Sequence, residues 1–291
     1  MAKSIRNLGA SVRARLLSVS QANGQAFDLV LVRFALERLL YRISQSAHAD
    51  RFVLKGAMVL MTWLDAPHRA TRDLDLLGFG DPNPDDMLAT FKDILSLNFD
   101  DAVTFDVDGL RVDRIRDALE YGGLRLRTTA AIDGARVSIV VDIGFGDTLD
   151  PGVETVDYPV LLDLPAPRLR TYARETVIAE KFQAMVALGR ANTRMKDFYD
   201  IWVLSRISAF NDDRLARAIA ATFERRRTPI PIDAPDALSL AFTQDAQKQS
   251  QWRAFTQNVA IDAGPLDTVI ADLATFLMPH ARAAASNQKQ K

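Results

Sequence analysis

Phe52 to Leu77 reads FVLKGAMVLMTWLDAPHRATRDLDLL, and its close, Asp73-Leu74-Asp75-Leu76-Leu77, governs how the rest of the chain is understood. Asp73 and Asp75 alternate with Leu74 and Leu76, the period of two expected of a half-buried strand. On such a strand both carboxylates project to one side and both leucines to the other, which buries one face and leaves the other acidic. Upstream, Phe52 to Gly56 is apolar until Lys55, which predicts a strand end turning into a short helix whose first amides are open to an anion. A break is expected at Pro67.

Working outward, Leu8, Val12, Leu16 and Leu17 predict a helix over residues 4–20, and Phe27, Val30, Leu31, Phe34, Ala35 and Leu39 another over 26–45, with Gly24 as the stop between them. After the Asp73 strand, DPNPDD opens a third helix within 81–101, its prolines and Asp85 suited to a helix start. The period then returns to two at Val103, Phe105 and Val107, at Leu124 and Leu126, and at Val137, Ile139, Val141 and Ile143, with Gly-rich or Asp-Gly breaks between. Asp142 lies opposite this last apolar set, on the face of Val140 and Ser138, and GFGD follows it. The Pro-rich YPVLLDLPAPRL closes the sheet-bearing part near residue 167. Beyond it, helices are predicted at 174–189, 194–207, 212–226, 236–258 and 265–282, before an unstructured tail, SNQKQK. The expectation is an α+β chain: residues 1–167 form a sheet-bearing core with two N-terminal helices, and residues 168–291 an all-helical C-terminal lobe.

Composition narrows the chemistry. With 291 residues, 48% of them hydrophobic, the chain can bury a full core. Lys plus Arg number 36 against 37 Asp plus Glu, so any contact with nucleic acid must come from a local patch. The absence of cysteine excludes disulfides, thiolate zinc and cysteine nucleophiles, and three scattered histidines make a poor metal centre, so a bound metal would need oxygen ligands. The N-terminus has no apolar core like that of a secretory signal and no window is long and apolar enough to span a membrane, which leaves the cytoplasm as the expected location.

Asp73, Asp75 and Asp142 are three acids on polar strand faces, a set suited to a hard cation such as Mg²⁺, which is held by one or two carboxylates together with substrate phosphates. The competing reading is that Asp73 and Asp75 form the solvent face of an edge strand. Lys181 shares the apolar stripe of its helix with Val177, Ile178, Phe182 and Met185; it either snorkels to water at the rim of the core or is a phosphate ligand directed into a cleft between the lobes. Arg190, Arg194 and Lys196, and separately Arg225 to Arg227, are local positive runs able to meet phosphates or simply to be solvated. Asp197 either has a role in the site or merely favours the positive end of its helix. The chain contains no G-x-x-x-x-G-K-[ST], no G-x-G-x-x-G opening a helix and no G-x-S-x-G.

Read in order, LKGAMVL, RATRDLDLLGFG, VDIGFGD, ETVIAEKFQAM and RMKDFYDI resemble the AbiEii/AbiGii-type nucleotidyltransferase toxins of type IV toxin-antitoxin systems. The resemblance extends upstream into LVLVRFALERLLYRIS and is clearest over residues 26–204. It implies a polymerase-β-like nucleotidyltransferase core with a mixed sheet, a helical C-terminal lobe, and transfer of a nucleoside monophosphate from an NTP to an acceptor. That acceptor would be RNA, specifically a tRNA 3′ end, with translation blocked until a cognate antitoxin neutralises the toxin. By the same resemblance Asp73, Asp75 and Asp142 hold Mg²⁺ or Mn²⁺, Asp142 helps deprotonate the attacking hydroxyl, and Thr71 lies near the phosphates. Lys181 meets the triphosphate, and Asp197 is the acid of an [RK]-D-x-x-D segment. Lys55 and Gly56 belong to the nucleotide-binding motif, but Ala57 and Met58 stand where the family often has a second glycine and a small hydroxyl residue; Arg69 is expected to compensate.

Two other functions fit the same residues: an NTP-binding regulatory or partner-binding protein without transfer, and a transferase acting on a protein or a small molecule.

Overall fold

The computed structural model describes residues 7–64, 69–115 and 122–288. The break expected at Pro67, the first residues of the N-terminal helix and the last three of the tail lie outside these. The described residues fall into two compact units, one within Met1–Ala66, Ala70–Gly146 and Glu154–Thr171, the other within Pro67–Arg69, Asp147–Val153 and Tyr172–Lys291.

In the first unit, α1 (Leu8–Ala22) and α2 (Phe27–Gln45) precede β1 (Phe52–Lys55), which runs directly into the single turn α3 (Gly56–Val59). Then come β2 (Asp73–Gly78), α4 (Pro84–Leu95), β3 (Thr104–Phe105), β4 (Arg111–Ile115), β5 (Gly123–Ile132) and β6 (Ala135–Phe145). β7 (Val153–Asp157) and β8 (Arg168–Tyr172) complete the sheet. The strand order is β3-β5-β6-β2-β1-β8-β7, with β4 also on β5. The sheet is mixed: β2 runs parallel to β6 and β1 to β8, while β1 with β2 and β5 with β6 are antiparallel.

Local chemistry accounts for these elements. The β5–β6 hairpin turns at Asp133 and Gly134, both at positive φ (45° and 80°), the conformation that an Asp-Gly pair adopts in a two-residue turn. α4 starts where Asn83 accepts from the amides of Asp85 and Asp86, with Pro84 and Asp85 in its first turn as expected. Leu54, Leu76, Ile143 and Leu124 follow one another across four strands, and all are buried. α2 covers this apolar face; its Leu40 and Ile43 share a cavity of about 440 Å³ with Leu54 and Leu76. Two arginines of α2 lie within the core: Arg38 and Arg42 both donate to Asp101, and Arg42 donates to the carbonyls of Leu97 and Val103, tying the helix to the 97–103 loop.

The connector expected to end the sheet near residue 167 does not end it. β7 and β8 flank it, and β8 pairs with β1 through Leu54 and Thr171. Both strands have five residues, too few for alternation to stand out beside the prolines.

The second unit contains α5 (Arg174–Leu188), α6 (Met195–Ile207), α7 (Asp212–Arg225), α8 (Leu240–Thr243), α9 (Ala246–Thr256) and α10 (Leu266–Gln288). The single helix expected over 236–258 is divided because Ser239 and Asp245 each accept from amides ahead of them and so start a new helix. Ser286 to Gln288, expected to be unstructured, continue α10, with the Ser286 hydroxyl donating to the carbonyl of Arg282. Tyr172, at the start of this unit, donates to both Asp147 and Glu180, and Arg226 pairs with the same two acids. Burial, reinforced by those carboxylates, pushes the Tyr172 hydroxyl well above its usual pKa and keeps it a donor.

Candidate active site

In the first unit, register sets the site. Lys55 of β1 is the partner of Asp75 in β2, Asp75 of Asp142 in β6, and Asp142 of Arg125 in β5. Directly paired residues share a face, so a row of two cations flanking two carboxylates crosses four strands on the side opposite the Leu54–Leu76 row. Asp73 stands two residues along on the same face, opposite Val140, and is exposed; Asp75 and Asp142 are half-buried. Arg125 grips Asp142 with a fork, Nε to Oδ1 at 2.7 Å and a terminal nitrogen to Oδ2 at 2.6 Å. The Thr71 hydroxyl donates to the backbone carbonyl of Asp73 at 3.4 Å.

Gly56 closes this row. Its φ is +68°, and a β-carbon placed on it would lie 2.0 Å from Asp75 Oδ2 and 2.6 Å from its Cγ. Only glycine permits both that backbone conformation and so close an approach to a carboxylate. The chain thus turns from β1 into α3 directly over Asp75.

Lys181 and Asp197 belong to a second set, in the second unit. The Lys181 ammonium lies 2.8 Å from Asp197 Oδ1 and 2.8 Å from Asp200 Oδ2. Arg69 forks onto Asp200 at 2.7 and 2.8 Å, and Arg194 reaches Asp197 at 2.6 Å. Both aspartates are fully buried, and Lys181 is nearly so. Lys181 therefore does not snorkel. Burial opposes its charge, but Asp200 and Asp197 outweigh burial and hold its pKa above the usual lysine value. These five groups carry three positive charges and two negative.

The structure thus brings Asp73, Asp75 and Asp142 together with Lys55, Gly56 and Thr71, and brings Lys181 together with Asp197 and Arg69. Arg125 and Asp200 were not among the sequence candidates. Arg125 alternates with Leu124 and Leu126, which marks its face but not its partner. Asp200 was visible only as the second acid of the [RK]-D-x-x-D segment.

The donor set suits a hard divalent cation in a particular way. Among the described residues no three His, Cys, Asp or Glu side chains are placed to hold one ion by themselves. Mg²⁺ does not require such a cage, since one or two carboxylates with substrate phosphates suffice. Asp73 and Asp75, on one face of β2 with Asp75 beneath the Gly56 turn, fit that arrangement.

A mixed sheet with a carboxylate-bearing face and a separate helical unit meets the architecture expected of a nucleotidyltransferase, and the family comparison identifies which kind. Residues 38–277 match the family described as nucleotidyl transferase AbiEii toxin, type IV TA system. The chain belongs to this family of nucleotidyltransferase toxins. Among solved structures it is similar to a candidate nucleotidyltransferase from Helicobacter pylori at 16% identity, covering 90% of this chain and 96% of that one, with a TM-score of 0.47. It is likewise similar to JHP933 from Helicobacter pylori at 14% identity, covering 90% and 94%, with a TM-score of 0.47. A comparison with curated proteins gives no match. Among the described residues no helix is long and apolar enough to cross a membrane.

Proposed function

We propose that the chain transfers a nucleoside monophosphate from an NTP to RNA, at a tRNA 3′ end, in the cytoplasm, and so blocks translation until a cognate antitoxin restrains it. The observation that carries this reading is the pair Asp73 and Asp75 on one sheet face, with Gly56 folded onto Asp75, in a chain of the AbiEii family.

In this reading Asp73 and Asp75 hold Mg²⁺ or Mn²⁺, whose chemistry is to neutralise charge developing on the phosphate oxygens. Asp142, in register with Asp75, is the third carboxylate and draws the proton from the attacking hydroxyl. Lys55, Gly56 and Thr71 lie on the nucleotide side of the same sheet face. Lys181 serves the triphosphate from a network that keeps it charged, and Asp197 and Arg69 are the groups that orient that network. The bond formed joins the acceptor oxygen to the α-phosphorus; the bond broken releases pyrophosphate.

The test is incubation of the purified chain with Mg²⁺, each labelled NTP in turn, and total RNA or total protein. Label in RNA, concentrated at tRNA 3′ ends, is the expected result. Label in protein or a small molecule would move the acceptor elsewhere, and NTP bound without transfer would make the chain a nucleotide-binding protein. Asp73→Ala is expected to lower transfer by about 100-fold or more; activity within about tenfold of the parent would remove the metal role.

A further inference from the structure

The charged row on the sheet contains one group without a role in the reaction as proposed. Arg125 and Asp142 are register partners on antiparallel strands and meet through two parallel hydrogen bonds of 2.7 and 2.6 Å. On its other side Asp142 is in register with Asp75, and neighbouring strands are only about 4.8 Å apart. Two carboxylates in that relation repel each other and, left alone, would turn apart.

We propose that Arg125 is a positioning residue for nucleotidyl transfer, acting through Asp142; this rests on the reading of Asp75 and Asp142 as parts of the catalytic face. The guanidinium fork fixes the plane of the Asp142 carboxylate as well as its charge, which a point charge cannot do. It also places a positive charge beside carboxylates that attract a divalent cation, so Arg125 exchanges some metal affinity for a fixed Asp142. Two residues along the strand, Arg127 pairs with Asp113, but there both partners are at least half exposed (50% and 60%). In the Arg125 pair the side chains are 38% and 21% exposed, so this contact is the better shielded from solvent.

The test uses the full chain with Arg125→Gln, Arg125→Lys, Asp142→Asn and the Arg125→Gln/Asp142→Asn double variant. Three quantities are read: Mn²⁺ binding in the absence of nucleotide, kcat and KM for transfer to RNA, and the thermal midpoint. Arg125→Gln is expected to bind Mn²⁺ several-fold more tightly yet to turn over at least about tenfold more slowly, with KM for NTP nearly unchanged. Arg125→Lys should restore only part of kcat, and the double variant should be no slower than Asp142→Asn alone. Unchanged kcat in Arg125→Gln, an additive loss in the double variant, or weaker Mn²⁺ binding together with a lowered midpoint would each overturn the proposal. Loss of turnover in Asp142→Asn but not in Arg125→Gln overturns the role of Arg125 alone. Parent-like turnover in Asp142→Asn overturns the reading of Asp142 as well.

Discussion

Gly56 and Asp75 are packed so closely that no side chain can exist at position 56 while Asp75 keeps its place. A β-carbon there would stand 2.0 Å from Oδ2, 2.6 Å from Cγ and 2.7 Å from Cβ of Asp75, so rotating the carboxylate alone does not relieve the clash. Backbone must shift.

Gly56→Ala is therefore expected to act on Asp75 directly. Overpacking and the positive φ together should lower stability by about 1–3 kcal/mol, which a chain of this size tolerates. Transfer activity should fall much further than the folded fraction does. The check is denaturant unfolding set beside NTP transfer under conditions where the variant is fully folded; transfer in proportion to the folded fraction would mean that Asp75 can move without consequence.

Lys181→Ala leaves Asp197 and Asp200 buried with one cation fewer, and breaking such a network costs about 3–5 kcal/mol. A large drop in the unfolding midpoint is expected. A role on the triphosphate predicts, in addition, a raised KM for NTP well below that midpoint. If KM and kcat there equal the parent values, Lys181 is purely an internal counter-ion.

Asp101 pairs with both core arginines of α2 and accepts from the amide of Val103. Asp101→Ala should destabilise by about 3–5 kcal/mol, because Arg38 and Arg42 remain buried without the carboxylate they share. The loss is expected in urea unfolding, with KM for NTP unaffected in the folded fraction, since Asp101 belongs to the α2 face of the sheet and not to the Asp75 face.

Glu37, buried on α2, has its carboxyl pushed up from 4.5 to about 7 by burial, against the opposing pull of the Leu161 amide and Arg38. The folded state thus holds this proton more tightly than the unfolded chain does. Its contribution to stability is complete below about pH 4.5 and is lost as pH rises to about 7, a change on the order of 3 kcal/mol. Glu37→Gln, which can still accept from Leu161, should flatten this slope and stabilise the chain above pH ~7. Unfolding free energies across that window decide it; an equal slope in both proteins would assign the pH dependence to other groups.

Periodicity in the sequence located much of this fold. The helices at 26–45, 174–189, 194–207 and 212–226 appear within a residue or two of their predicted ends, because each carries an apolar stripe long enough to show a 3.6-residue repeat. Alternation likewise placed Asp73 and Asp75 on one face and Asp142 opposite its apolar neighbours. Short elements were less visible: β4, β7 and β8 have five residues each, and the break at Ser239 depends on a single capping hydroxyl.

The sequence by itself determined which side chains share a strand face or a helix stripe, since backbone geometry imposes that locally. Tertiary structure alone decided which of them meet. That Asp142 lies beside Asp75 and is gripped by Arg125 depends on strand order and register between segments distant in the chain. That Lys181 reaches two buried carboxylates, not water, depends on how α5 packs against α6. The Gly56 turn over Asp75 combines both: glycine allows the positive φ, but only the pairing of β1 with β2 brings a carboxylate beneath it.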